Sequence, residues 1–197
     1  VPDPLATAAH ITKSGRGTLV LSGTNTAGGG ILTRGTTVNE GTLQIGDLAH
    51  IGGAVGFLNL SGGTLRLAPG FSQDLSLRTI NFPSAASTID VTSNQLTFAN
   101  PIGGAAGVNI GGLTKAGAGS LTLAATNTYQ GATSVDNGAL ILAGGANGRL
   151  NVRTDLFIGS GNSANAAVFQ LGDANGASNQ TVSSLSGVTG IQAADFT

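Results

Sequence analysis

The residue types that carry most protein chemistry are few in this chain, and they are scattered. Nine carboxylates are present: Asp3, Glu40, Asp47, Asp74, Asp90, Asp136, Asp155, Asp173 and Asp195. Acid–base cleavage of a polysaccharide needs two or more carboxyls converging in a cleft, so that one donates a proton while the other accepts one or attacks. Here the acids stand mostly singly beside turn residues. Glu40 and Asp136 lie at or next to equivalent positions before Gly41 and Gly138, where turn chemistry accounts for them. His10 and His50 are isolated, and the chain has no Cys, so no metal-ligand or general-base cluster is written in the sequence. There is no Asp-x-Asp calcium loop and no Gly-x-Ser-x-Gly elbow. Gly159-Ser160-Gly161 follows an apolar run but leads into another turn and strand. A phosphate loop needs a helix there, to supply its amides and dipole. The expectation is no catalytic, cofactor-binding or metal-binding residue.

Other polar positions recur without forming a site. Lys13 and Lys115 share a repeat position before a Gly-rich turn; they are expected as solvated charges that blunt lateral strand pairing, with a ligand-binding ladder as the alternative. Thr-x-Thr occurs at 24–26 and 126–128, too rarely for the flat threonine array an ice-binding face would need. Net charge is −1 and aromatics are 4%, so neither a basic stripe nor stacking platforms exist for nucleic acid. No apolar run approaches the length that spans a bilayer, which excludes membrane insertion by this segment.

The elements that position these residues follow from pattern. Charged residues are only 9% against 40% hydrophobic, a balance that favours folding over disorder. Thirty-three glycines fall between short runs of Leu, Val, Ile and Thr, as turn residues do. Residues 11–26 (ITKSGRGTLVLSGTNT) and 113–128 (LTKAGAGSLTLAATNT) agree at nine of sixteen positions. After a five-residue insertion in the first copy, 35–45 (GTTVNEGTLQI) matches 132–142 (ATSVDNGALIL). These define long repeats at 11–46 and 113–145. Shorter units at 49–67 and 156–173 also resemble each other, so the array is tandem.

Apolar and polar residues alternate within the units, which predicts strands with one buried face. The expected core is Leu19, Leu21, Leu43, Ile45, Leu58, Leu60, Leu65, Leu67, Leu121, Leu123, Leu140, Leu142, Phe169 and Leu171. The expected repeat turns are Gly15, Gly17, Asn25, Gly41, Gly117, Gly119, Asn127 and Gly138. Helix content is expected near zero. Because the units resemble one another, the pattern predicts an all-β, right-handed parallel β-helix (β-solenoid) over 1–197, with like residues stacked on like and Asn ladders at the turns. Coils of about 22 residues give about nine coils.

The segments KSGRGTLVLSGTNT…GTTVNEGTLQIG and KAGAGSLTLAATNTYQGATSVDNGALIL resemble the passenger-associated transport repeat, also called the autotransporter-associated β-strand repeat. The second matches nearly throughout; the first departs by the insertion AGGGI (27–31), expected as a loop at one corner. The resemblance implies an autotransporter passenger β-helix, a fragment of a longer exported precursor found extracellularly or at the bacterial surface. It brings no catalytic residues. The sequons at Asn59 and Asn179 then read as chance matches.

Three functions follow in order: a non-catalytic stalk or adhesin backbone, a self-assembling filament or surface-layer subunit, and a polysaccharide-acting enzyme. The partners expected are neighbouring coils of the same precursor or identical subunits stacked end to end, and host or cell-surface glycans or proteins. Cofactors are expected to be none.

Overall fold

The computed structural model describes residues 10–24, 35–52, 56–104, 109–145, 149–159 and 166–187. In its first part lie β1 (His10–Lys13), β2 (Thr18–Leu21), β3 (Gly35–Val38), β4 (Thr42–Ile45), β5 (Phe57–Leu60), β6 (Thr64–Leu67), β7 (Thr79–Asn81) and β8 (Ser87–Asp90). The second part holds β9 (Gln95–Phe98), β10 (Leu113–Ala116), β11 (Ser120–Leu123), β12 (Thr133–Val135), β13 (Gly138–Leu142), β14 (Asp155–Ile158), β15 (Ala167–Leu171) and β16 (Ser184–Gly187). Each strand pairs in parallel with the strand two places along, so the chain is a parallel β-solenoid. The only helical pieces among the described residues are 3-10 turns at Leu48–Ile51 and Leu75–Leu77.

Three sheets result. Sheet A stacks β1, β3, β5 and β7; sheet B stacks all eight even-numbered strands; sheet C stacks β9, β11, β13 and β15. The coil of β7, β8 and β9 places one strand in each sheet. Before it, coils use A and B, and the two 3-10 turns follow β4 and β6, where later coils place their sheet C strands. After it, coils use B and C.

This rotation corrects the expectation that like residues stack on like throughout. The first long repeat puts its strands in A and B, whereas the second puts the equivalent strands in B and C. The motif therefore specifies a strand–corner–strand unit, and the intervening chain decides which sides that unit occupies.

Among the described residues the coil count is also smaller than nine. Sheet B has eight strands among the described residues, hence seven complete turns, spanning about 34 Å at ~4.8 Å per rung. The coil length is uneven. In register, Thr114 to Ser134 takes 20 residues and Phe157 to Ser186 takes 29, because corner loops differ while strands keep step.

Inward residues of successive coils stack into one core. Leu43, Leu65 and Ile89 are in register and fully buried. Leu58, Leu60, Ile45, Leu67, Leu121, Leu123, Leu140 and Leu142 join them. Each contributes roughly 1.5–3 kcal/mol by leaving water. Phe169, Leu171 and Leu21 are partly buried against this core. Leu19 differs: it is 37% exposed, and among the described residues β2 is the last strand of sheet B, paired with β4 alone.

Candidate functional site

The corners between paired strands hold the most specialised polar groups. Strand alternation puts Lys13 on the same side as Ile11, and Lys115 on the same side as Leu113. Both lysines are buried, Lys115 completely, in line with Ile89 and Val135. The expected solvated charge is thus corrected. Each ammonium finds three main-chain acceptors instead of water. Lys13 Nζ donates to the carbonyls of Ser14 (3.1 Å), Gly15 (2.5 Å) and Glu40 (3.0 Å). Lys115 Nζ donates to those of Gly117 (2.6 Å), Gly119 (2.5 Å) and Asn137 (2.6 Å).

In both copies one acceptor belongs to the next coil, so the lysine ties two coils together. Three acceptors match the three donors of an ammonium, which is what permits its burial. Burial pushes Lys115 down to about 8, and the nearby Asp90 charge pulls it back up.

The glycine of the next coil makes room for this arrangement. Gly138 has φ +65°, and a Cβ there would lie 2.2 Å from the Gly119 carbonyl oxygen and 2.6 Å from Lys115 Nζ. Gly41 has φ +62°, and a Cβ there would lie 2.4 Å from the Gly15 and from the Gly17 carbonyl oxygen. The spacing Lys-x-Gly-x-Gly, followed one coil later by Gly, is the chemistry of a clamp. Among the repeat turns, Gly15 and Gly117 also have positive φ; Asn25 and the 27–31 insertion lie outside the described residues.

A second class of buried polar groups bridges coils. Asn127 Oδ1 accepts from Ile102 N (3.1 Å), and its Nδ2 donates to the Arg149 carbonyl (2.8 Å). Asn94 and Asn109 do similar work through Gly70 N and Phe82 N. The Asn ladder expected at the turns takes this form, amide to backbone. A direct Asn81–Asn59 pair at 2.8 Å stands on sheet A, at one of the sequons. Arg78 is buried and donates to the carbonyls of Ile51 and Phe57, its pKa lowered to about 10 by desolvation. Of these, the sequence singled out only Asn127, as a repeat turn, and Asn59, as a sequon; lone polar residues in irregular corners carry no periodic signal.

Four carboxylates are occupied locally, while Asp155 Oδ1 accepts from Ser184 Oγ of the next coil at 2.6 Å. Asp47 Oδ1 accepts from Ala49 N, Asp74 from Ser76 N, Asp90 from Thr92 N and Asp173 from Asn175 N, each two residues on. The Asn175 amide, with Gly144 N, holds Asp173 below the usual carboxylate range, whereas burial raises Asp136. Asp90 also pairs with Arg66 at 2.8 Å. His10 Nε2 lies 2.9 Å from Thr37 Oγ1, and His50 Nδ1 accepts from Gly46 N. No group of three His, Cys, Asp or Glu could hold a metal among the described residues. Asp3, Asp195, Ser160 and Gly161 lie outside them.

One outward feature escaped the sequence reading. Thr18, Thr42, Thr64, Thr88, Thr114 and Ser134 are in register on sheet B, a row of six hydroxyls at rung spacing facing outward. For Thr18, Thr42 and Thr64 the signal was available as the Gly-Thr-Leu and Gly-Gly-Thr-Leu starts of strands; for Thr88, Thr114 and Ser134 the row appears only once coils are aligned.

The passenger-associated-transport-repeat matches residues 11–45 and 113–142, the two lysine-cornered units. The adhesin BmaC autotransporter of Brucella suis biovar 1 is 35% identical over 150 residues, covering 75% of this chain. The chain belongs to the autotransporter passengers built from passenger-associated transport repeats. This passenger segment spans only 4% of the length of that relative. No solved structure matches it. Within the repeat, the matched stretch begins just before the clamp lysine and closes after the glycine that accommodates it, so one repeat is two coils and the tie between them.

Proposed function

We propose that this passenger segment is a non-catalytic, surface-exposed stalk and adhesive face of an exported bacterial protein. The observation that carries the reading is the outward hydroxyl row of sheet B, mounted on a continuous core, with Asp47, Asp74, Asp90 and Asp173 each capping its own turn. A rigid sheet with donors and acceptors at ~4.8 Å intervals suits hydroxylated surfaces such as glycans. Kinship with an adhesin supports the same reading.

Beads coated with the purified segment should bind host cells or immobilised glycans, and a Thr42→Val/Thr88→Val variant should bind less while melting normally. Release of sugar fragments from those glycans would sink the non-catalytic reading; unchanged binding by the variant would remove the hydroxyl row from it.

A second reading, end-to-end stacking on neighbouring coils or identical subunits, is favoured by the terminal rungs. Leu19 on β2 and Leu185 on β16 are 37% and 42% exposed. Heterologous contacts of this kind extend without closing. Sedimentation of the segment decides it: a concentration-independent monomer excludes stacking by these ends.

A further inference from the structure

We propose that Asn137 is a site of spontaneous covalent modification, in which its side-chain amide is lost through a succinimide to leave an aspartyl or isoaspartyl residue at the Lys115 corner.

Three features converge on this peptide. Gly138 N donates to Asn137 Oδ1 at 2.8 Å, which holds the backbone nitrogen beside the side-chain carboxamide. The following residue is glycine, so no side chain obstructs ring closure. Lys115 Nζ donates to the main-chain carbonyl of Asn137 at 2.6 Å, and a cation on that oxygen withdraws electron density and acidifies the Gly138 N–H. Asn137 itself is half-buried, so water reaches it.

The chemistry balances without an external reagent other than water. Gly138 N gives up its proton and bonds to Asn137 Cγ; the Cγ–Nδ2 bond breaks and ammonia leaves with that proton. Water then opens the ring at either carbonyl, giving aspartate or isoaspartate, with no change of oxidation state. The succinimide cannot make the bond from Gly138 N to the Ala166 carbonyl (2.7 Å) in the next coil, so the stack is loosened while the ring is closed; opening by water returns the N–H. An isoaspartyl link adds a methylene to a corner in which even a Cβ on Gly138 would crowd Gly119 and Lys115.

The first repeat lacks the device. Glu40 occupies the equivalent place, its carbonyl accepting from Lys13, and a carboxylate has no amide to lose.

The test incubates the folded chain in mildly alkaline buffer and follows each asparagine by peptide mass spectrometry with an isoaspartyl methyltransferase assay. Asn175-Gly176, in an exposed turn where Asn175 Nδ2 donates to Asp173 Oδ2 at 3.3 Å, is the internal reference. Asn137 should convert several-fold faster than Asn175 in the folded chain, and the advantage should vanish in urea. Lys115→Gln should slow Asn137 alone. Conversion at Asn137 no faster than at Asn175, or faster in urea than in the fold, would overturn the proposal; the urea comparison decides it even where the lysine variant does not fold.

Discussion

The two long repeats share a motif but not an environment. Lys13 and Lys115 make the same clamp, yet Leu19 is 37% exposed while its counterpart Leu121 is fully buried. Among the described residues the first repeat places β2 last in the order of sheet B, with one neighbour, whereas the second places β11 between β9 and β13. Burial in a solenoid is conferred by the coils above and below, so an identical sequence has different energetic weight at different rungs. Thr36 and Thr133 show the same contrast. Both are buried and equivalent in the repeat, but Thr133 Oγ1 meets Tyr129 OH (2.9 Å) and Thr154 Oγ1 (3.0 Å), while the Thr36 hydroxyl has no hydrogen-bond partner among the described residues.

That contrast is open to direct attack. The largest effect is expected from Leu121→Asp, which puts an unpaired charge in a dry interior and should cost more than about 4 kcal/mol in a urea melt, whereas Leu19→Asp should cost under about 1 kcal/mol. Comparable losses would mean that rung position does not control burial energy. Next is Lys115→Ala, which strips three buried carbonyls of their donor and should cost about 3 kcal/mol. Lys13→Ala, nearer the end, should cost less in the same melt.

Alkaline pH separates the halves further. Burial raises the pKa of Tyr129, the chain's single tyrosine. The unfolded chain therefore loses that proton first, and stability should fall by about 1.4 kcal/mol per pH unit above the ordinary value near 10. Lys115 acts in the opposite sense: its folded value of about 8 lies below 10.5, so stability rises between the two. The difference between wild type and Tyr129→Phe isolates the first contribution; parallel pH profiles would refute it. The smallest expected pair has opposite signs. Thr36→Val should stabilise by about 1 kcal/mol by removing an unmet hydroxyl, and Thr133→Val should destabilise by about as much, both read as shifts in melting midpoint.

Much of this was legible in advance, for a local reason. Alternation at Leu43/Ile45, Leu65/Leu67 and Leu140/Leu142 names both the strand and its inward face, because side chains on a strand must alternate. The clamp was half-legible. Counting by twos from Ile11 or Leu113 points each lysine inward, and only its charge argued for solvent; three carbonyls supplied by glycine-rich corners outweigh that argument. Of the bridging asparagines only Asn127 was legible, as a repeat turn; Asn94, Asn109 and Arg78 were not, since their partners come from residues a full coil away.

By itself the sequence determined the strands, their buried faces, the repeat and the parallel stacking of coils, all consequences of period-two patterning and self-similarity. The tertiary structure alone decided which side of the solenoid each repeat occupies, how many rungs fit and which equivalent residues lie under cover. The reason is accumulation: a coil's phase depends on the summed lengths of all corners before it, and its burial on neighbours that no local window contains.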